Sequence, residues 1–179
     1  MMKLSDIRKN PEGLPFDKQL ALKDALIARE SSILDLQNVT AKGIVSYDDG
    51  LYLLHYHLSY ELILPSSRSM TPVTLQEHYD VSEVFIAAQD VATKKEMVDE
   101  NLVLILEDDV IDLSESVLDN ILLNIPLKVL TEEEEKTEAM PEGDSWTVLT
   151  EAQYQQLREE EKQANNPFAS LSGLFDDSE

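Results

Sequence analysis

His55 and His57 stand two positions apart in a stretch rich in Leu and Tyr, so on an extended strand both rings point to one face and could begin a zinc or copper site. Further ligands would have to come from His78 or from carboxylates such as Glu61, Glu77 or Asp80. Without more ligand spacing than the pair itself, the residues read as strand histidines in a polar-facing row. The run Glu107, Asp108, Asp109 with Asp112 offers hard oxygens of the kind Mg²⁺ takes. It lacks the glycine and ligand order of a calcium loop, no phosphate-cradling glycine loop accompanies it, and it stands where acidic residues cap a helix. Ser66, Ser67 and Ser69 surround Arg68 in a turn-like segment, but no nucleophile elbow encloses any of them.

The elements that must position these residues can be read from periodicity. Leu4 to Asn10 predicts a short helix stopped by Pro11 and Gly13, Phe16 to Leu22 a strand, and Leu22 to Arg29 one or two helical turns. Val39 to Tyr47, the Asp49-Gly50 pair and Leu51 to Leu64 predict a long antiparallel hairpin, followed by a further strand over Val73 to Phe85. The polar stretch Ala87 to Asn101 reads as loop or short exposed helix, and Leu102 to Leu106 as a buried strand. Leu113, Val117, Leu118, Ile121, Leu122 and Ile125 form one helical stripe, with Asp112 and Glu115 fitting a reciprocal capping box and Pro126 ending the helix.

Thr131 to Ser145 is too hydrophilic to pack and reads as a flexible connector. Trp146 to Leu149 is a brief apolar island, and Thr150 with Gln153 predicts the start of a mostly solvated helix. Asn166 and Pro167 open a last helix with Phe168, Leu171 and Phe175 on one face. The expected organisation is an α+β core domain over residues 1–130, an acidic linker over 131–145 and a C-terminal helical tail over 146–179. The core is expected to hold an antiparallel sheet or partly closed β-barrel with flanking helices.

Charge narrows the partners. Residues 1–75 carry eight Lys and Arg against nine Asp and Glu, whereas residues 76–179 carry six against twenty-seven. Such a surface repels phosphate backbones, so DNA is excluded as a partner and basic proteins are favoured. The chain has no Cys, which excludes thiolate metal sites and disulfides. Met1 to Asn10 lacks the apolar segment of a secretory signal, and no apolar run is long enough to span a bilayer, so a cytoplasmic protein that engages no membrane is expected.

The order of several blocks resembles the YceD family, named for accumulation of large-subunit ribosomal RNA, in its form from Gram-positive bacteria. The carriers are Gly43-Ile44-Val45, Asp49-Gly50-Leu51-Tyr52, Leu64 through Val73, Ile111-Asp112-Leu113, Ile121 through Pro126, and Asn166 through Leu171. Many relatives have cysteines where this chain has Ser66 and Ser69, on either side of the shared Arg68, and further cysteines after the Pro126 position. Relatives also tend toward Asp-Pro-Arg where this chain reads Asn166-Pro167-Phe168. The resemblance implies a role in synthesis, processing or stability of 23S ribosomal RNA and in large-subunit biogenesis.

The expected protein is therefore a non-enzymatic factor without cofactor or metal, whose partner is a basic ribosomal protein or ribosome assembly factor and whose association with rRNA is indirect. Arg68, Pro167, Phe168, Leu171 and Phe175 are the candidate partner-binding residues. An alternative is direct RNA binding through Lys18, Lys23, Arg29, Lys42 and Arg68. A third is a metal-dependent hydrolase built on His55 and His57.

Overall fold

A computed structural model describes residues 1–100, 102–136, 142–143, 146–147 and 154–158. Met1–Val129 and Leu130–Glu179 form two compact units. In the first, β1 (Met2–Lys3), α1 (Leu4–Arg8), β2 (Leu14–Gln19) and α2 (Lys23–Arg29) precede three long strands, β3 (Asp35–Asp48), β4 (Leu51–Pro65) and β5 (Pro72–Ala87). A 3₁₀ turn (Ala88–Thr93) and α3 (Lys95–Asp99) cross to β6 (Leu104–Leu106), and β7 (Val110–Ile111) leads into α4 (Leu113–Leu123).

The main sheet has the order β2-β3-β4-β5-β6, antiparallel throughout except that β6 runs parallel to β5. It is α+β as expected, but the sheet is open, so the barrel alternative is set aside. β7 pairs instead with β1, and the Leu4 N–H donates to the Asp109 carbonyl at 3.0 Å, fixing the start of the chain beside α4.

Asp49 and Gly50 close the β3–β4 hairpin with φ of 42° and 87°. Two successive positive φ values match the right-handed twist of the flanking strands, which is why this dipeptide marks the turn. In β3 the register slips between Gln37 and Thr40, at Asn38 with φ 53°. The extra residue of this bulge changes which sequence parity faces inward, so Leu36 and then Val39, Ala41 and Val45 are all buried. Gly43 faces the same way opposite Tyr56, where a Cβ would meet the His55 carbonyl at 2.0 Å and the Tyr56 Cα at 2.5 Å. Only glycine fits there.

β4 alternates without a break, burying Tyr52, Leu54, Tyr56, Leu58, Tyr60, Leu62 and Leu64. Leu4 and Ile7 of α1, Leu26 of α2, and Leu113, Val117, Leu118 and Ile121 of α4 complete the core against this face. One face of the sheet is covered and the other is open to solvent, the arrangement that clean alternation encodes.

Three sequence expectations change. Leu102–Leu106 is not a buried strand: Val103 is buried, but Leu102, Leu104 and Ile105 are 57%, 51% and 48% exposed, because the strand is only three residues long and lies at the sheet edge. At α4, Asp112 caps by accepting from the Ser114 N–H at 3.0 Å, whereas Glu115 turns away to Arg29, so the expected box is not reciprocal. The stretch read as a connector from Thr131 contains α5 (Glu132–Lys136) in the second unit. There Thr131 Oγ1 accepts from the Glu134 N–H at 3.2 Å and Glu134 Oε2 accepts from the Thr131 N–H at 2.8 Å, a full capping box. That unit also holds the short antiparallel pair β8 (Glu142–Gly143) and β9 (Trp146–Thr147), and helical residues 154–158 with Tyr154 and Leu157 exposed.

Candidate functional site

The three histidines of the chain all lie on the open face of the sheet, exposed to solvent. Alternation along β4 puts His55 and His57 there, and the β4–β5 register sets His55 opposite Ser82, His57 opposite Asp80 and Ser59 opposite His78. His55 Nδ1 is 2.5 Å from Ser82 Oγ, and the His57 Nδ1–H donates to Asp80 Oδ1 at 2.9 Å. The His57 and His78 rings lie 6.4 Å apart. The two pairs stand side by side, so hydroxyl, imidazole and carboxylate are not joined in the series a nucleophile needs. No group of three His, Cys, Asp or Glu residues is arranged to hold a metal ion among the described residues.

The Ser66–Met70 turn between β4 and β5 is closed by its own serines. Ser66 is fully buried, its Oγ accepts from the Arg68 N–H at 3.1 Å, and its N–H donates to the Thr71 carbonyl at 2.8 Å. Met70 takes φ 62° to complete the reversal. The turn is fastened to the segment after α4, since the Ser67 N–H donates to the Val129 carbonyl at 2.7 Å and the Val129 N–H returns to Ser67 Oγ at 3.0 Å. Arg68 sits half-buried in this turn. The other candidate partner-binding residues, Pro167, Phe168, Leu171 and Phe175, lie outside the described residues.

One polar network was not legible in the sequence. The Ser116 hydroxyl on α4 donates to Glu83 Oε2 on β5 at 2.6 Å, so the Tyr56 hydroxyl, 2.8 Å from Ser116 Oγ, must be the donor of that second bond. The Asn120 amide donates to Glu83 Oε1 at 2.6 Å and to the Ser116 carbonyl at 2.9 Å, and the Tyr79 hydroxyl donates to the Asn120 carbonyl at 3.0 Å. Burial raises the Tyr56 phenol well above its ordinary range, keeping it a neutral donor. Glu83 is 33 positions from Ser116, and no local spacing announces the pair.

Several cations suggested for RNA are already committed to carboxylates. Lys23 Nζ is 2.8 Å from Asp35, Lys42 Nζ is 3.4 Å from Asp17, and the Arg29 fork reaches Glu115 at 2.5 Å and Asp119 at 2.8 Å. The Asp35 carboxyl is lowered to about 2, chiefly by its hydrogen bond from Lys23, with Gln37 adding to it. Arg8 is held likewise: its Nε donates to the Tyr52 hydroxyl at 2.5 Å while its guanidinium lies over the Tyr47 and Tyr52 rings. Among the described residues, no helix is long and apolar enough to cross a membrane.

These ion pairs tie elements of the first unit to one another. A family model described as "Large ribosomal RNA subunit accumulation protein YceD" matches residues 54–175. No curated protein and no solved structure matches the chain.

Proposed function

The chain belongs to the YceD family, and on that premise we propose that it is a non-enzymatic factor supporting accumulation of 23S rRNA and large-subunit biogenesis through a basic protein partner. The family supplies the role in large-subunit RNA accumulation. The indirect route rests on charge: twenty-one of the twenty-two net negative charges fall in residues 76–179. A field of that sign hastens encounter with Lys- and Arg-rich proteins and opposes RNA, whose affinity depends on cations displacing counterions. The pairing of Lys23, Arg29 and Lys42 with carboxylates supports the same reading, because each neighbouring negative charge offsets the cation's attraction for a phosphate.

The experiment is depletion of the protein from its cells, with 23S and 16S rRNA quantified and subunits separated on a sucrose gradient. Large subunits and 23S rRNA should fall relative to small subunits and 16S rRNA. A joint variant, His55→Ala with His57→Ala, should restore both as well as the natural chain does. Equal levels of the two rRNAs after depletion would overturn the role, and failure of the histidine variant to rescue would point to chemistry on the sheet face.

A further inference from the structure

Between the edge strand β6 and the first turns of α4 lies a groove of about 300 Å³. Its apolar lining comes from Met1, Phe85, Leu104, Ile105, Leu106 and Val110. Carboxylates of Glu107, Asp108, Asp112, Glu115 and Asp119 stand around it, and no Lys, Arg or His is among its lining residues. Leu104 and Ile105 offer about half their surface to solvent. β6 is the last strand of the sheet and, among the described residues, pairs with β5 alone, so the edge away from β5 has no strand partner there.

We propose that this groove is a docking site for a basic amphipathic segment of a protein, an extended stretch in which Lys or Arg alternates with Leu, Ile or Val. The proposal rests on the basic-partner reading above and locates it. Alternation suits the geometry, because an extended chain beside β6 turns successive side chains to opposite faces, apolar ones onto the apolar lining and cations toward the rim. The rim charges differ in availability. Glu115 and Asp119 share Arg29, and Asp112 accepts from Ser114, whereas Glu107 and Asp108 project exposed from the loop after β6. These two should carry most of the recognition of cations. A second copy of this chain would bring a net charge of −22 to the rim, so like-charge repulsion disfavours it as occupant.

The test uses the full chain and a fluorescent peptide alternating Lys and Leu over about ten residues, with a Glu-for-Lys version as control. Binding should be seen for the Lys peptide, weaken with salt, and be lost for the Glu peptide. The joint variant Glu107→Lys and Asp108→Lys should weaken it about tenfold or more. Leu104→Ser should weaken it at high salt as well as low. Glu12→Lys with Asp17→Lys, an equal charge change on exposed positions at β2, the opposite edge of the same sheet, should leave binding within about twofold. Equal loss in both charge variants, or equal binding of both peptides, would overturn the groove as the site. The basic-partner reading is judged separately, by capture of basic proteins from cell extract.

Discussion

Ser67 and Val129 exchange two hydrogen bonds, the Ser67 N–H donating to the Val129 carbonyl at 2.7 Å and the Val129 N–H to Ser67 Oγ at 3.0 Å. This clasp joins the β4–β5 turn to the chain leaving α4, two regions 62 residues apart. It lies where the resemblance drawn from the sequence places cysteines in many relatives, at the turn around Arg68 and beyond Pro126. In this chain backbone and serine groups hold the two segments together.

Ser67→Ala removes one of the two bonds and leaves the N–H of the buried Val129 without its acceptor. The expected loss is about 1 kcal/mol of unfolding free energy, read by urea denaturation, with Ser67→Thr restoring most of it. No change on Ser67→Ala would mean the turn is held without the clasp.

In the network under α4, the order of effects is diagnostic. Ser116→Ala strips an acceptor from Tyr56 and a donor from Glu83 and should cost about 2 kcal/mol, whereas Tyr56→Phe removes only the outer donor and should cost about 1 kcal/mol. Thermal unfolding of the two variants checks the order. The reverse order would show that the Tyr56 hydroxyl is held chiefly by a group other than Ser116.

Two glycines of the β3–β4 hairpin separate steric from conformational need. Gly43→Ala places a methyl against the backbone of β4 and should cost on the order of 4 kcal/mol or more, enough to prevent folding. Gly50→Ala meets nothing within 4 Å and should cost about 1–2 kcal/mol, the penalty of φ 87°. Soluble yield and chemical denaturation distinguish them.

Much of this fold is legible in residue order, and the exceptions have physical causes. Asp49-Gly50 and the strict alternation of β4 announce the hairpin because turn chemistry and burial act locally. The bulge at Asn38 leaves no comparable mark, since one extra residue merely shifts the parity of an apolar pattern. Leu102 to Leu106 reads as buried because an apolar run carries no sign of whether a neighbouring strand will cover it; β6 has one on a single side. The histidines fall on the face that period two assigns them. The groove beside β6 is not legible at all, being assembled from β5, β6, the loop after it and α4.

Acid should act through Asp35. Its carboxyl is held at about 2 in the folded chain, mainly by Lys23, against about 3.9 in an unfolded one. A depressed carboxyl stabilises the fold fully above the unfolded value, and that contribution is lost as pH falls from about 4 through about 2. Lys23→Ala should return the Asp35 titration toward the ordinary carboxylate range in an NMR pH series and flatten this part of the stability profile. An unmoved titration would contradict the pairing.

This acidic chain is proposed to reach large-subunit RNA through a basic protein. Capture of the tagged full chain from cell extract treated exhaustively with nuclease, followed by identification of what remains bound, tests that route. Basic large-subunit proteins or assembly factors should stay on the chain after the RNA has gone, and should be released by salt. Recovery only while RNA is intact, or of no such protein at all, would contradict it.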